Sequence, residues 1–148
     1  MSDEVKRGLE DVLVAESELS CIDGDAGELV YRGYSIEDLA QKASYEEVVY
    51  LLWHGRLPTG DELQSFTDAM IEERTINTGV YEQIERLAAA DESPMAALRT
   101  IVSTLSAYDP DADAEVTDHE ANARKARRIA AKLPTALAAL QRCREGND

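Results

Sequence analysis

The sequence predicts a mainly α fold with one β-hairpin near its amino-terminal end. Three observations carry this reading. Strand-forming residues and a glycine-containing turn are confined to residues 12–31. Beyond residue 34, apolar residues recur at helical spacing between capping and breaking signals, so helices are expected from about 35 to 145. At 148 residues and 44% hydrophobic, the chain is long enough to bury a core as one domain, 1–148.

Val12, Val14, Ile22, Leu29 and Tyr31 suit extended backbone. Asp23-Gly24-Asp25-Ala26-Gly27 supplies the turn between them, with Asp-Gly favouring positive φ and the second glycine suiting a bulged hairpin. Ser35 then caps a short helix. Ser44-Tyr45-Glu46-Glu47 spells a capping box, followed by Tyr45, Val48, Val49 and Leu52 on one face, and Gly55 ends that helix. Thr59 to Glu62 is a second box, opening a helix with Leu63, Phe66, Met70 and Ile71 as its stripe. Asn77-Thr78-Gly79 breaks the chain, and Val80, Ile84, Leu87 and Ala88 mark the next helix.

Ser93-Pro94 starts a further helix, because proline in the first turn gives up only an unpaired N–H. Met95 to Ala107 leave almost no polar face, so burial on several sides is expected there. The last helix begins near Thr117-Asp118-His119-Glu120 and carries the stripe Ala126, Ile129, Ala130, Leu133, Leu137 and Leu140. Pro134 lies inside it, where its ring pushes against the carbonyl of Ala130 and a kink is expected. The two final helices hold more apolar surface than a domain this size needs, which points to a second subunit or to further sequence.

Charge excludes several functions. Asp and Glu number 30 against 15 Lys and Arg, a net charge of -15 that disfavours a nucleic-acid partner. The basic cluster Arg124, Lys125, Arg127, Arg128 and Lys132 reads instead as an ion-paired or solvated helix face. Only 4 of the basic residues are lysine, and such an acidic surface repels itself unless salt screens it, as in a high-salt cytoplasm. No apolar run is long enough to cross a bilayer, and Met1-Ser2-Asp3-Glu4 is acidic where a signal peptide would be basic, so no membrane partner and a cytoplasmic location are expected. Cys21 and Cys143 are expected as free thiols, with no metal-ligand spacing.

One motif points to a metal. Asp109-Pro110-Asp111-Ala112-Asp113-Ala114, with Glu120 at the twelfth place, nearly spells an EF-hand loop. Ala114 stands where glycine makes the sharp turn, so a hydrated acidic loop is the reading preferred over a calcium-binding helix-loop-helix, and no metal site is predicted.

Four segments together resemble the citrate synthase family. They are Ser20 to Tyr34; Leu51-Leu52-Trp53-His54-Gly55-Arg56-Leu57-Pro58-Thr59; Ser93-Pro94-Met95-Ala96-Ala97-Leu98-Arg99-Thr100 with Ala107-Tyr108-Asp109; and Ile129-Ala130-Ala131-Lys132-Leu133-Pro134-Thr135. The resemblance implies a citrate synthase-like helical large domain, of which 1–148 is the amino-terminal part, with the small domain and catalytic segments absent. It implies an acyltransferase that condenses acetyl-CoA with oxaloacetate to citrate and CoA, both compounds being substrates and no cofactor being required. It implies a homodimer through the helices at about 93–108 and 118–144. It also implies that the catalytic histidines, the catalytic aspartate and most oxaloacetate-binding arginines lie beyond the kinked helix, so the isolated chain is expected to be inactive. No catalytic residue is assigned, and cofactor-binding residues are left open. His54 and His119 match no catalytic position of the family and read as structural or surface residues. Arg32 and Arg56 sit beside glycines in matched segments, where a carboxylate or helix-end partner is preferred over ligand contact. The alternatives are a 2-methylcitrate synthase fragment and a non-catalytic dimerisation or assembly module of a split or degenerate protein.

Overall fold

The computed structural model describes residues 16–147. The expected strand residues 12–15, including Val12 and Val14, lie outside the described residues. Among the described residues, three strands are followed by six helices: β1 Ser20–Asp23, β2 Glu28–Tyr31, β3 Tyr34–Ser35, α1 Ile36–Lys42, α2 Tyr45–His54, α3 Gly60–Glu72, α4 Thr78–Ala89, α5 Pro94–Leu105 and α6 His119–Arg144, with a 3-10 turn at Ser106–Tyr108. They divide into two compact units, one ending at Leu63 and one beginning at Gln64.

In the first unit the strands form an antiparallel sheet in the order β1-β2-β3. β1 pairs with β2 from Ser20 opposite Tyr31 to Asp23 opposite Glu28. The Asp23 carboxylate accepts the N–H groups of Asp25 and Ala26 at 3.0 and 2.9 Å and so fixes the turn. The left-handed residue in that turn is Gly27, at φ 70°, rather than Gly24. A third strand follows that the sequence reading does not anticipate. Arg32 and Gly33, at φ 47° and 87°, make a two-residue turn with both residues left-handed, and this folds Tyr34 back against Tyr31.

The helix caps follow the local sequence. Ser35 accepts from the Glu37 N–H. Ser44 and Glu47 complete a reciprocal capping box at α2, and Gly55 closes that helix at φ 77°. At α3 the Thr59 N–H donates to Glu62 at 2.8 Å, while the Glu62 N–H donates back to the Thr59 hydroxyl at 3.4 Å.

The second unit packs α4, α5 and α6 around Val80, Ile84, Ala97, Ile101, Leu105, Ala136, Ala139 and Leu140. Ala136 and Ala139 of α6 share this cluster with Ile84 of α4 and Ile101 of α5. Two expectations need correction here. The break between α3 and α4 falls at 73–77, and Asn77-Thr78-Gly79 belongs to the start of the next helix: Asn77 caps α4, and Gly79 stands in its first turn. The carboxamide takes up an N–H that would otherwise be unpaired. α5 is also not buried all round. It buries the single stripe Ala97, Ile101 and Leu105, while Met95 is 75% exposed. α6 runs on through Pro134 to Arg144.

Candidate functional site

Arg32, Arg56 and His54, singled out in the sequence, have structural partners. In the first unit, Arg56 forms a two-pronged pair with Glu62, Nη1 to Oε2 at 2.8 Å and Nη2 to Oε1 at 2.5 Å, and its guanidinium lies 5.6 Å from the Tyr50 ring centre. Arg56, and then the Thr59 N–H, hold the Glu62 carboxyl well below the usual carboxylate range. Arg32 donates to Glu18 at 3.1 Å and to the Leu52 carbonyl, at the end of α2, at 3.4 Å. His54 packs its ring on Tyr50, with centres 4.1 Å apart. In the second unit His119 is the first residue of α6, exposed and beside the capping Asp118. Cys21 and Cys143 are free thiols.

The near EF-hand loop has a different use. Asp109 accepts from Arg128 through both oxygens, from Nε at 2.9 Å and from Nη2 at 2.7 Å. Asp111 accepts likewise from Arg124, at 3.0 and 2.7 Å, and also from Arg128 at 2.5 Å. Arg124 first and Arg128 second hold the Asp111 carboxyl far below its ordinary range, and Arg128 does the same, less strongly, for Asp109. The first and third ligand positions of the motif are therefore occupied by guanidinium groups. Among the described residues, no group of three or more His, Cys, Asp or Glu side chains is placed to hold a metal.

The basic face of α6 is thus an ion-paired surface. Arg127 and Lys132 both pair with Glu73, at 3.5 and 3.6 Å, and Lys132 Nζ also donates to the Glu73 carbonyl at 2.5 Å. Between the Asp109 and Glu73 pairings lies an open groove of about 430 Å³. Ile76, Leu105, Pro110 and Ile129 give it apolar walls. Arg128, Lys132, Tyr108, Thr75 and Asn77 supply its polar groups. Sequence reasoning did not find this groove. Its one available signal is the spacing of Arg128 and Lys132, which puts them one helical turn apart on α6.

The arrangement can bind and position, but the described residues bring together no nucleophile, base and orienting group. The comparisons with known proteins therefore decide the family. The family model described as "Citrate synthase, C-terminal domain" matches residues 8–148. The chain belongs to the citrate synthase family. A citrate synthase of Haloferax volcanii is 64% identical over 149 aligned positions, which cover 100% of this chain and 39% of that protein. A 2-methylcitrate synthase of Mycobacterium tuberculosis is 38% identical over 97% of this chain and 35% of its own length. The chain therefore spans well under half the length of these curated relatives. Among solved structures, citrate synthase from Pyrobaculum aerophilum superimposes with a TM-score of 0.86 at 38% identity, covering 95% of this chain and 37% of that one. Citrate synthase from Thermoplasma acidophilum, solved as a ternary complex with carboxymethyl coenzyme A and oxaloacetate, gives 0.85 at 26% identity, covering 99% and 38%. The expected fold class, mainly helical with a small amino-terminal sheet, is the one these citrate synthases share.

Proposed function

We propose that this chain is the amino-terminal part of the large domain of a citrate synthase, and that the intact protein condenses acetyl-CoA with oxaloacetate to citrate and CoA as an acyltransferase of the tricarboxylic acid cycle. The observation that carries this reading is the 64% identity to the Haloferax volcanii enzyme along the whole of this chain. The reaction needs a base for the acetyl methyl, a donor for the enolate oxygen and cations for two carboxylates. No catalytic residue of that set is assigned to this chain, and most of the oxaloacetate-binding arginines are placed in further segments, so by itself the chain is expected to be inactive. No cofactor is needed, since acetyl-CoA is a substrate.

Assay of CoA thiol release from acetyl-CoA and oxaloacetate tests both statements. The intact protein turns over and the 148-residue chain does not; turnover by the chain alone would sink the assignment of the machinery to missing segments. A second reading, 2-methylcitrate synthase, is favoured by the Mycobacterium tuberculosis relative. A higher kcat/KM with propionyl-CoA than with acetyl-CoA would establish it.

The intact protein is a homodimer joined through residues 93–108 and 118–144. Supporting this are the exposed Met95, Ile129 and Leu137, at 75%, 38% and 38%, on two helices whose opposite faces already fill the core. It works in a salt-rich cytoplasm, a reading supported by the net charge of -15 and by the small number of lysines among the basic residues. Among the described residues no helix is long and apolar enough to cross a membrane. Helical circular dichroism is expected to rise with potassium chloride; an unchanged spectrum from dilute buffer to molar salt contradicts the salt adaptation.

A further inference from the structure

We propose that the Asp23–Gly24 bond is a covalent modification site, where the chain converts slowly to isoaspartate through a cyclic imide, and that opening of the β1–β2 turn sets the rate.

The chemistry needs no partner but water. The Gly24 backbone nitrogen attacks Cγ of Asp23, a C–N bond forms, and the carboxyl hydroxyl leaves with the Gly24 amide proton as water. Water then adds to either carbonyl of the ring. Addition at Cγ breaks the new C–N bond and restores aspartate. Addition at the Asp23 backbone carbonyl breaks the original bond to Gly24, and the chain then runs through Cγ.

Three observations select this bond. Asp-Gly occurs once in the sequence and Asn-Gly does not occur; every other Asp or Asn up to Asn147 precedes a residue whose side chain crowds the attacking nitrogen. Gly24 stands in open space, with no atom within 4 Å of where a Cβ would lie. Asp23 is exposed, as is the whole of β1, and β1 lies at one edge of the described sheet with Ile22 74% exposed. So little buried area leaves the hairpin cheap to open locally.

The closed turn holds the reaction back. Asp23 Oδ1 accepts the Asp25 and Ala26 N–H groups at 3.0 and 2.9 Å, so the carboxyl group must release both before it can cyclise. Asp23 is also strand backbone, paired with Glu28. Extended backbone keeps Cγ and the next nitrogen apart across the Cα–C bond. Gly27, at φ 70°, completes the turn in a conformation that a side chain would strain. The product cannot reclose this turn. Its backbone is longer by one methylene at Asp23, and its carboxylate sits directly on Cα, away from the two N–H groups it had fixed.

Ageing the purified intact protein in heavy-oxygen water and molar potassium chloride, followed by peptide mass spectrometry, tests the proposal, because each imide hydrolysis fixes one heavy oxygen. Label is expected at Asp23 well ahead of Asp68, which precedes alanine. Asp23→Ala should abolish the label there. Gly24→Ala meets no neighbouring atom and no left-handed backbone, so it keeps the turn and should slow labelling to the level of Asp68. Gly27→Ala lies outside the reacting pair and strains the turn, so labelling at Asp23 should be several-fold faster. In unfolding urea the native chain and Gly27→Ala should label alike. Labelling at Asp23 no faster than at Asp68, or undiminished in Gly24→Ala, overturns the site. A rate unchanged or slower in Gly27→Ala overturns the control by turn opening. The readout is a mass label, so the result is independent of the condensation assay.

Discussion

The two faces of α5 make opposite demands on stability, and a pair of substitutions separates them. Ile101 is 0% exposed at the centre of the second unit's core, among Val80, Ile84 and Leu140. Ile101→Ala deletes three carbons, at about 0.8 kcal/mol for each buried group, or about 2.4 kcal/mol. The unfilled cavity raises the loss to about 3–4 kcal/mol, and the better helix propensity of alanine returns less than about 0.7 kcal/mol. Met95, on the same helix, is 75% exposed, so Met95→Ala removes little buried area within the chain. Its cost to folding of the subunit is within about 0.5 kcal/mol. Urea unfolding in molar potassium chloride, followed by circular dichroism, measures both; sedimentation of the intact protein measures association. Ile101→Ala should lower stability at every protein concentration. Met95→Ala should leave subunit unfolding unchanged and loosen the dimer. The reasoning fails if Met95→Ala costs as much as Ile101→Ala in a monomeric sample, because α5 would then be packed on a face the structure shows open.

Three further outcomes follow from local geometry. The arginines around Asp109 and Asp111 depress both carboxyl pKa values below the ordinary 3.8, so their stabilisation is complete above that pH and is lost as pH falls through the lowered folded values. The stability gap between the native chain and Asp109→Asn should therefore be constant near neutrality and close only in strong acid, as acid titration of unfolding will show. A Cβ on Gly79 would overlap the Tyr108 hydroxyl, so Gly79→Ala forces that ring aside. Combined with Tyr108→Ala, the same change should instead stabilise α4 by up to about 1 kcal/mol, read from a double-mutant cycle. Ser44→Ala removes the capping box of α2 and should cost about 0.5–2 kcal/mol in urea unfolding.

Much of this molecule was legible in the sequence because the relevant physics is local. Ser44 with Glu47, Thr59 with Glu62 and Gly55 at φ 77° involve residues within one turn of chain, and no distant partner alters them. The stripe Val80, Ile84 and Leu87 was legible for the same reason, since one face of a 3.6-residue repeat must meet a core. β3 was not legible. It exists because Arg32 tolerates a left-handed backbone while its guanidinium is anchored to Glu18 and to the end of α2. The calcium-like spelling from Asp109 misled for a related reason. Carboxylate spacing specifies which oxygens are available, and says nothing of the arginines 13 to 19 residues further on that take them.

The sequence by itself determined the helices, the caps at Ser35, Ser44 and Thr59, the amino-terminal hairpin and the family, since each is written in contiguous residues or in the order of contiguous segments. Only the tertiary structure decided which face of α5 is covered, and which carboxylate each arginine of α6 holds. It also decided that Glu73, Tyr108, Arg128 and Lys132 share one groove. Those outcomes depend on side chains brought together from separate elements. Charge pairing and close packing act on distance in space, which the spacing along the chain does not encode.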